Sequence, residues 1–561
     1  MSRKKTKTYY ADFETTQPKD NKVEVYLWCM VSGEEEYKGF NIKTYIDFLS
    51  TMSKSIIYFH NLKFDFSYIQ YYLIKNNIKY ELLEKKGTIY SVKFFNVELR
   101  DSLNFMPMTL KEVGLNYCRV HQKTSIDYEV YAPHQATQEE IDYCFEDCRV
   151  LEEGLNAYLN TIYDVLDKAG CEKAKKKVFK KLTNSGIAFE AFKELSNYDI
   201  LCPKTSQREY AMYSPAYKGG YVYSKPCGIQ RNIQMIDCNS MYPYIYSTID
   251  MPFGKAILCN NFEDCEKFKF YITKIYIKYD LKEGYIPIIG GGVGKYGGTL
   301  YKSSSNGEFE ELVVCNIDLE LIKRFYYTEI IFGWGRGFET RPCFFKEYCD
   351  VFLAVKNANK GIKRAVAKVM LNSPYGKTAM NGLTEIKSYY IDESDDIVKS
   401  QITGYEVNDD VFQYLPIAIQ ITAGARQLLL TTAEKIGFEN VLYMDTDSIK
   451  FKAKETGIEY DSNILGAWKD EGYCKLFKTI APKKYVYYYY DEEEGKNLIK
   501  YTCAGFNKKV LTEEMQHGLE VTEEQAIELM TKFDTGLELS CLQSKKIEGG
   551  RALIPIKKEI K

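Results

Sequence analysis

At 561 residues the chain is too long for one ordinary domain, and its 45% hydrophobic and 27% charged residues exclude a disordered or fibrous protein. No run of about 18 apolar residues occurs, which excludes a membrane-spanning helix, and the charged start MSRKKTKTYYADFE lacks the apolar stretch of a secretory signal, so a cytoplasmic protein with no membrane partner is expected. A formal net charge of −2 speaks neither for nor against nucleic acid, while sixteen scattered cysteines without a Cys-x-x-Cys, beside only four histidines, point to reduced thiols and away from a zinc centre.

The first ~170 residues alternate between strand and helix patterns, an α/β arrangement. TKTYYADFETT reads as a strand entering a turn, and KSIIYFHNLKFDFSYIQYYLI as strand, turn and helix. From Thr137, TQEEIDYCFEDCRVLEEGLNAYLNTIYDVLDKA predicts a long helix opened by a capping box of Thr137 and Glu140. The basic EKAKKKVFKK that follows reads as a helix face at a domain junction. Beyond Tyr210 short strands dominate (YVYSK, IQMIDCNSM, FYITKIYIKY). The Gly-rich IIGGGVGKYGGTLYK is not a phosphate loop, because Ile289 stands where a glycine is needed and Tyr296 follows Lys295; it reads as turns in an insertion. NKGIKRAVAKVMLNSPYG predicts a helix stopped by Pro374, within a stretch from Lys356 to Lys377 that has six basic residues and no acidic one. ENVLYMDTDSIKFK predicts strand, tight bend and strand.

Two groups of acids stand out. Asp237 ends a predicted strand, and Asp445 and Asp447 flank the predicted bend. Phosphoryl transfer by two metal ions needs carboxylates converging on hard cations about 4 Å apart. Taken singly, an Asp-Thr-Asp bend is ordinary turn chemistry and Asp237 a strand end. The second group is Asp12, Glu14, Asp65 and Asp147, with Tyr143 one helical turn before Asp147 and on the same face. In isolation, Asp147 and Tyr143 read equally as a surface acid beside a half-buried aromatic ring.

The ordered set resembles the family B DNA polymerases. DCNSMYP (Asp237 to Pro243) is similar to D-x-x-S-L-Y-P, with Met241 for Leu; KVMLNSPYG (Lys368 to Gly376) is similar to K-x-x-x-N-S-x-Y-G; YMDTDS (Tyr443 to Ser448) is similar to Y-x-D-T-D-S. The resemblance implies that Asp237 and Asp447 ligate metal with Asp445 in support. It gives Lys368, with Lys363 in the same basic stretch, to the triphosphate, Tyr242 to the sugar, where it excludes a 2′-hydroxyl, and Tyr375 to the nascent base pair. Ser240 joins these as a DNA contact. LTNSGIA and YKGG, with Tyr217, Gly219 and Gly220, resemble the segment coupling template to the exonuclease domain. Thr422 and Arg426 of TAGAR, and Lys483 and Tyr485 of KKY, resemble primer contacts. The second acid group is similar to a DEDD-type 3′→5′ exonuclease with tyrosine, which gives Thr15, His60, Asn61, Phe64, Ser102 and Leu103 to the frayed 3′ end. One departure is that Ile126-Asp127-Tyr128 is followed by Glu129 and Val130, where the family carries a lysine; another cation such as Lys123 is expected in its place, or a slower exonuclease.

Spacing points to a subclass. Asp237 and Lys368 stand 131 positions apart, and Gly376 and Asp445 stand 69 apart. The first gap, with YKSSSNGEFEELVVCNIDLELIKRFY, and the second resemble the two terminal-protein regions of protein-primed phage polymerases of the phi-29 type, and IEGGRALIPIKKEIK resembles the end of their thumb. The implied fold is α/β (α+β multidomain): a ribonuclease-H-like exonuclease (1–176), then a right-hand polymerase with palm (177–248 and 417–505), fingers (344–380), thumb (506–561) and insertions at 249–343 and 381–416. Mg²⁺, with Mn²⁺ as substitute, primer–template DNA, deoxynucleoside triphosphates, a terminal protein primer and a monomeric state follow from the same resemblance. The alternatives are an RNA-primed family B polymerase, which would lack the insertions, and a catalytically silent DNA-binding scaffold, which would show broken carboxylates.

Overall fold

The computed structural model describes residues 6–18, 22–126, 130–293 and 299–561. The N-terminal strand Lys7–Thr15 lies in a seven-stranded sheet, between Val25–Ser32, antiparallel to it, and Ser55–Phe59, parallel to it. Val25–Ser32 (VYLWCMVS) is buried at every position but its last, as a strand covered on both faces must be. Helix Gln138–Lys168 covers one face, and helices Ile42–Thr51 and Leu62–Lys75 fill the other with Tyr45, Leu62, Phe66 and Ile69. The predicted capping box is present, Thr137 and Glu140 satisfying each other's backbone N–H groups.

A second, wholly antiparallel seven-stranded sheet occupies the centre of the chain, in the order Lys496–Cys503, Lys484–Asp491, Trp468–Ala481, Gln230–Cys238, Ser448–Lys452, Val441–Asp445, Val222–Ser224. Helix Leu415–Ile436, apolar almost throughout, is buried behind it beside the short helix Met241–Thr248. Their approach is close enough that a Cβ on Gly424 would meet Ile245 Cγ2 at 2.9 Å.

Between the strands Gln230–Cys238 and Val441–Asp445 the chain makes three excursions. The first is a four-stranded sheet of Met251–Cys259, Tyr326–Arg341, Phe270–Leu281 and Glu310–Cys315. The Gly-rich segment within it forms a hairpin, Ile289–Val293 with Thr299–Lys302, rather than turns alone; Lys295 and Tyr296 lie outside the described residues. The second is the helix pair Lys346–Ala358 and Gly361–Asn372, the latter ending two residues before Pro374. The third is the hairpin Leu383–Asp392 with Ile397–Val407.

The C-terminal hairpin, Glu538–Ile547 with Gly550–Glu559, returns to the N-terminal unit. There the N–H of Val23 donates to the Glu548 carbonyl (3.1 Å) and the Tyr68 hydroxyl to that of Arg551 (2.5 Å). Gly549, at φ 83°, is required at this junction because a Cβ would strike the Val23 carbonyl. The basic EKAKKKVFKK folds as helix Glu172–Lys175 and a single 3₁₀ turn, its Lys177 and Lys181 both paired with Glu190. All sixteen cysteines are free thiols, and no helix among the described residues is long and apolar enough to cross a membrane.

Candidate active sites

The central sheet delivers Asp237 at the end of its strand, opposite Ser448 in the antiparallel register. The chain bends between Asp445 and Ser448 by placing Thr446 in the left-handed region at φ 58°. A β-branched residue held there costs about 1–3 kcal/mol, so the surroundings must enforce it. They do so through three bonds: the N–H of Thr446 to the Tyr221 carbonyl (2.9 Å), that of Asp447 to Asp445 (2.6 Å), and that of Cys238 to Asp447 (2.7 Å). Gly220 completes the support, since any Cβ there would collide with the Thr446 side chain.

Asp445 is engaged: its carboxylate accepts from Lys483 Nζ (2.9 Å), the Tyr443 hydroxyl (3.3 Å) and Thr446 Oγ1 (3.1 Å). Asp237 and Asp447 instead line a cavity of about 890 Å³ together with Ser240, Tyr242, Lys356, Arg364, Lys368 and Tyr375. Burial, then the charge of Asp447, pushes the Asp237 carboxyl up to about 6, while Lys450 and Lys469 act against that rise. Asp447 is also raised, chiefly by burial. The rings of Tyr242 and Tyr375 stack at 4.2 Å, and burial, then the nearby Tyr375, raises the pKa of the Tyr217 hydroxyl.

Three of the expected residues have surroundings that the motifs do not anticipate. Lys363 does not line the cavity; Arg364 does, being four residues before Lys368 and so on the same helical face, and Lys356 joins them from the preceding helix. Thr422 is buried, its hydroxyl bonded to the carbonyls of Ala418 and Ile419 within its own helix. Arg426 is buried too, forked onto Asp318 (Nε–Oδ1 3.1 Å, Nη2–Oδ2 2.7 Å), with Nη1 donating to the carbonyls of Lys218 and Gly219. It therefore holds the Tyr217–Gly220 loop in place. Tyr485 packs against Tyr443 at 4.7 Å. Lys469 and Glu471, at the cavity wall, carry no motif that sequence reasoning could have used.

In the N-terminal sheet, Asp12 and Glu14 alternate along one strand and so share a face. Asp147 meets them from helix Gln138–Lys168, and ligand oxygens of the three lie within 4.8 Å of one another. Asp65, in the first turn of helix Leu62–Lys75, lies outside that trio but acts on it. Burial, then the charges of Asp147 and Asp65, hold Asp12 well above the ordinary carboxylate range, and burial does the same to Asp65. One oxygen of Asp147, Oδ1, is buried with no hydrogen-bond partner, whereas Oδ2 binds Lys123 Nζ. Lys123 also donates to the Tyr143 hydroxyl at 2.8 Å, and the charges of Asp147 and Asp12 hold its ammonium on despite burial. The cation expected from outside the Ile126-Asp127-Tyr128 segment is thus on the acids; residues 127–129 themselves lie outside the described residues. An all-oxygen donor set with an unbonded buried oxygen fits a hard divalent cation.

Beside these acids, two loops follow parallel strands. His60 Nε2 donates to the Met108 carbonyl (2.7 Å), leaving Nδ1 to accept from the Ser102 hydroxyl (2.9 Å). Burial keeps this imidazole neutral by lowering its pKa. Asn61 adopts φ 69°, Phe64 rests edge-on to Tyr68 at 5.6 Å, and Thr15 bonds the same tyrosine. Leu103 sits in the short turn after Asp101.

Known proteins share this arrangement. The family model for DNA polymerase type B, organellar and viral, matches residues 48–135 and 129–453. The DNA polymerase of Bacillus phage B103 is 28% identical over 541 residues, spanning 88% of this chain and 89% of that protein. The DNA polymerase of Bacillus phage phi29 is 28% identical over 565 residues, spanning 90% and 93%. The structure of phi29 DNA polymerase complexed with primer-template DNA and incoming nucleotide substrates matches with a TM-score of 0.85 at 25% identity, over 99% of this chain and 100% of that one. The fold is accordingly an α/β multidomain exonuclease-plus-polymerase fold, and such enzymes work with divalent metal. With the family model matching well over half of the chain and the whole architecture shared, the chain belongs to the organellar and viral type B DNA polymerases and is a DNA-directed DNA polymerase.

Proposed function

We propose that this polymerase starts synthesis on the hydroxyl of a terminal protein, displaces the strand ahead of it, and proofreads with a 3′→5′ exonuclease, replicating a linear phage or mobile-element genome in the host cytoplasm. The observation that carries the double activity is the presence of two separate carboxylate groups, Asp237 with Asp447 and Asp12 with Glu14 and Asp147. Protein priming and strand displacement are supported by the sheet within 249–343 and the hairpin within 381–416, the two insertions that distinguish the subclass. We take the domain boundaries as the sequence suggested: exonuclease 1–176, palm 177–248 and 417–505, fingers 344–380 and thumb 506–561.

In the polymerase site, Asp237 and Asp447 are the metal ligands and Asp445 orients the bend through Lys483. Lys356, Arg364 and Lys368 neutralise the incoming triphosphate, acting as preplaced charge where charge develops. Tyr242, stacked on Tyr375, forms the floor beneath the sugar and nascent pair. In the exonuclease site, Asp12, Glu14 and Asp147, with Asp65, hold the metals, and Lys123 orients Tyr143 and Asp147 toward the attacking water. Thr15, Asn61, Phe64, Ser102 and Leu103 hold the unpaired 3′ end, Phe64 by stacking. Mg²⁺, or Mn²⁺ in its place, supplies Lewis-acid polarisation of the phosphate when bound at either site. The chain acts as a monomer on primer–template DNA.

Extension of a primed single-stranded circle with Mg²⁺ tests this reading. Asp447→Ala is expected to abolish synthesis and keep 3′ degradation, and Asp12→Ala/Asp65→Ala to do the reverse. Product longer than one circle establishes strand displacement, and its loss on deleting residues 383–415 ties that to the hairpin. A wild-type protein that neither extends nor degrades returns the DNA-binding scaffold as the better account.

A further inference from the structure

Strands Ser55–Phe59 and Val97–Asp101 run parallel, and their last residues, Phe59 and Asp101, are partners in the register. Both loops that we assign to the 3′ end leave from this point: His60 to Phe64 after one strand, Ser102 and Leu103 after the other. Loops at the carboxyl ends of parallel strands are where such sheets place ligands, but two separate loops must then be held in register.

The side chain of Asp101 spans them. It is 7% exposed, and its Oδ1 accepts from the Asn61 N–H at 3.0 Å and the Leu103 N–H at 2.9 Å. Asn61 is the left-handed residue that precedes helix Leu62–Lys75, and its own side chain does not cap that helix start. Asp101 therefore supplies the acceptor that the helix entrance lacks, and fixes the turn from which Phe64 projects. The His60–Ser102 bond and the Ser102 hydroxyl, which can also reach the Phe59 carbonyl (3.0 Å), brace the same two loops from the other side. Asp101 is not among the metal-holding trio, so its buried carboxylate has no other assigned work.

We propose that Asp101 is a positioning residue of the exonuclease: through one carboxylate oxygen it sets the spacing of the two loops that grip the frayed 3′ end. The inference rests on the exonuclease reading above. Its signature is a loss of grip on DNA more than of chemistry, because the acids that hold metal stand on other elements.

Steady-state degradation of a short single-stranded oligonucleotide with Mg²⁺ tests it, using Asp101→Ala and Asp101→Asn. Asn keeps an oxygen that accepts both N–H groups, and Ala keeps none. Asp101→Ala is expected to raise KM roughly tenfold or more with kcat changed far less, since small misplacements of substrate-holding groups cost about that much. Asp101→Asn is expected to stay near wild type, and both variants to extend a primed circle normally, which shows that the chain folds. An unchanged KM in Asp101→Ala overturns the proposal, as does Asp101→Asn behaving like Asp101→Ala or a fall in kcat with KM unmoved. If the wild type itself fails to degrade, the exonuclease reading falls and takes this inference with it.

Discussion

The two carboxylate groups solve the same electrostatic problem in different ways. In the N-terminal site the acids come from a strand and two helices, are packed into protein, and have a cation, Lys123, built in against Asp147. In the central site Asp237, on its strand, and Asp447, in the bend, line a cavity of about 890 Å³, while Asp445 is turned toward Lys483. Like charges brought together need a counter-charge, which the fold sets directly on Asp147 in the first site and only at a distance, on Lys450 and Lys469, for Asp237 in the second.

The sharpest way to break this comparison is Lys123→Met. If the internal cation is essential, 3′ degradation falls by about 10²–10³-fold, as for loss of one preplaced catalytic donor, while primer extension is unchanged. A comparable loss of extension would mean that the two sites are not independent. Next in size is Gly220→Ala. The added methyl must displace Thr446 and with it the bend between Asp445 and Asp447, so extension is expected to fall by up to roughly 10²-fold with degradation intact. Retained extension would show that the bend tolerates movement. The smallest effect is a pH dependence of the central site. Asp237, raised to about 6, is protonated below that pH and must lose its proton to bind metal, so the Mg²⁺ concentration needed for extension climbs as pH falls through 6. In the metal-free protein, ionising this raised acid disfavours the fold as pH rises from the ordinary carboxylate range to about 6, and the cost is constant above that. The gain in Tm on adding Mg²⁺ should therefore be larger at pH 7 than at pH 5, and calorimetry at the two values checks it.

Much of this was legible before folding. Strand and helix patterns around Asp12, Asp65, Asp147 and Asp445 came out as expected because they are local: alternation, a capping box, a bend rich in polar residues. The central acids are brought together by a register between strands more than 200 residues apart in the chain, and only the motif resemblance anticipated it. What sequence reading missed shares one cause. Thr422 and Arg426 sit in a motif that suggested DNA, yet helix Leu415–Ile436 is sunk behind the sheet, and no local pattern reveals which face of an almost uniformly apolar helix meets water. Arg364 and Lys356 do not stand out from sequence because a basic stretch has no visible phase until its helix is docked. Asp101 carries no motif of its own, and its role depends on two loops meeting across a parallel strand pair.

The pairing of Arg426 with Asp318 bears on how such polymerases exchange parts. Asp318 belongs to the first excursion, 249–343, which looks from sequence like a detachable module. Its carboxylate nonetheless neutralises a guanidinium that holds Lys218 and Gly219, adjoining the Gly220 that abuts Thr446. Removing one partner of a buried ion pair costs about 3–5 kcal/mol, a large part of a domain's stability. A chimera that swaps residues 249–343 between relatives must therefore carry a compatible acid at 318, or inherit 426 from the same parent. The recombination boundary that sequence alignment suggests is not the one that the folded protein would accept.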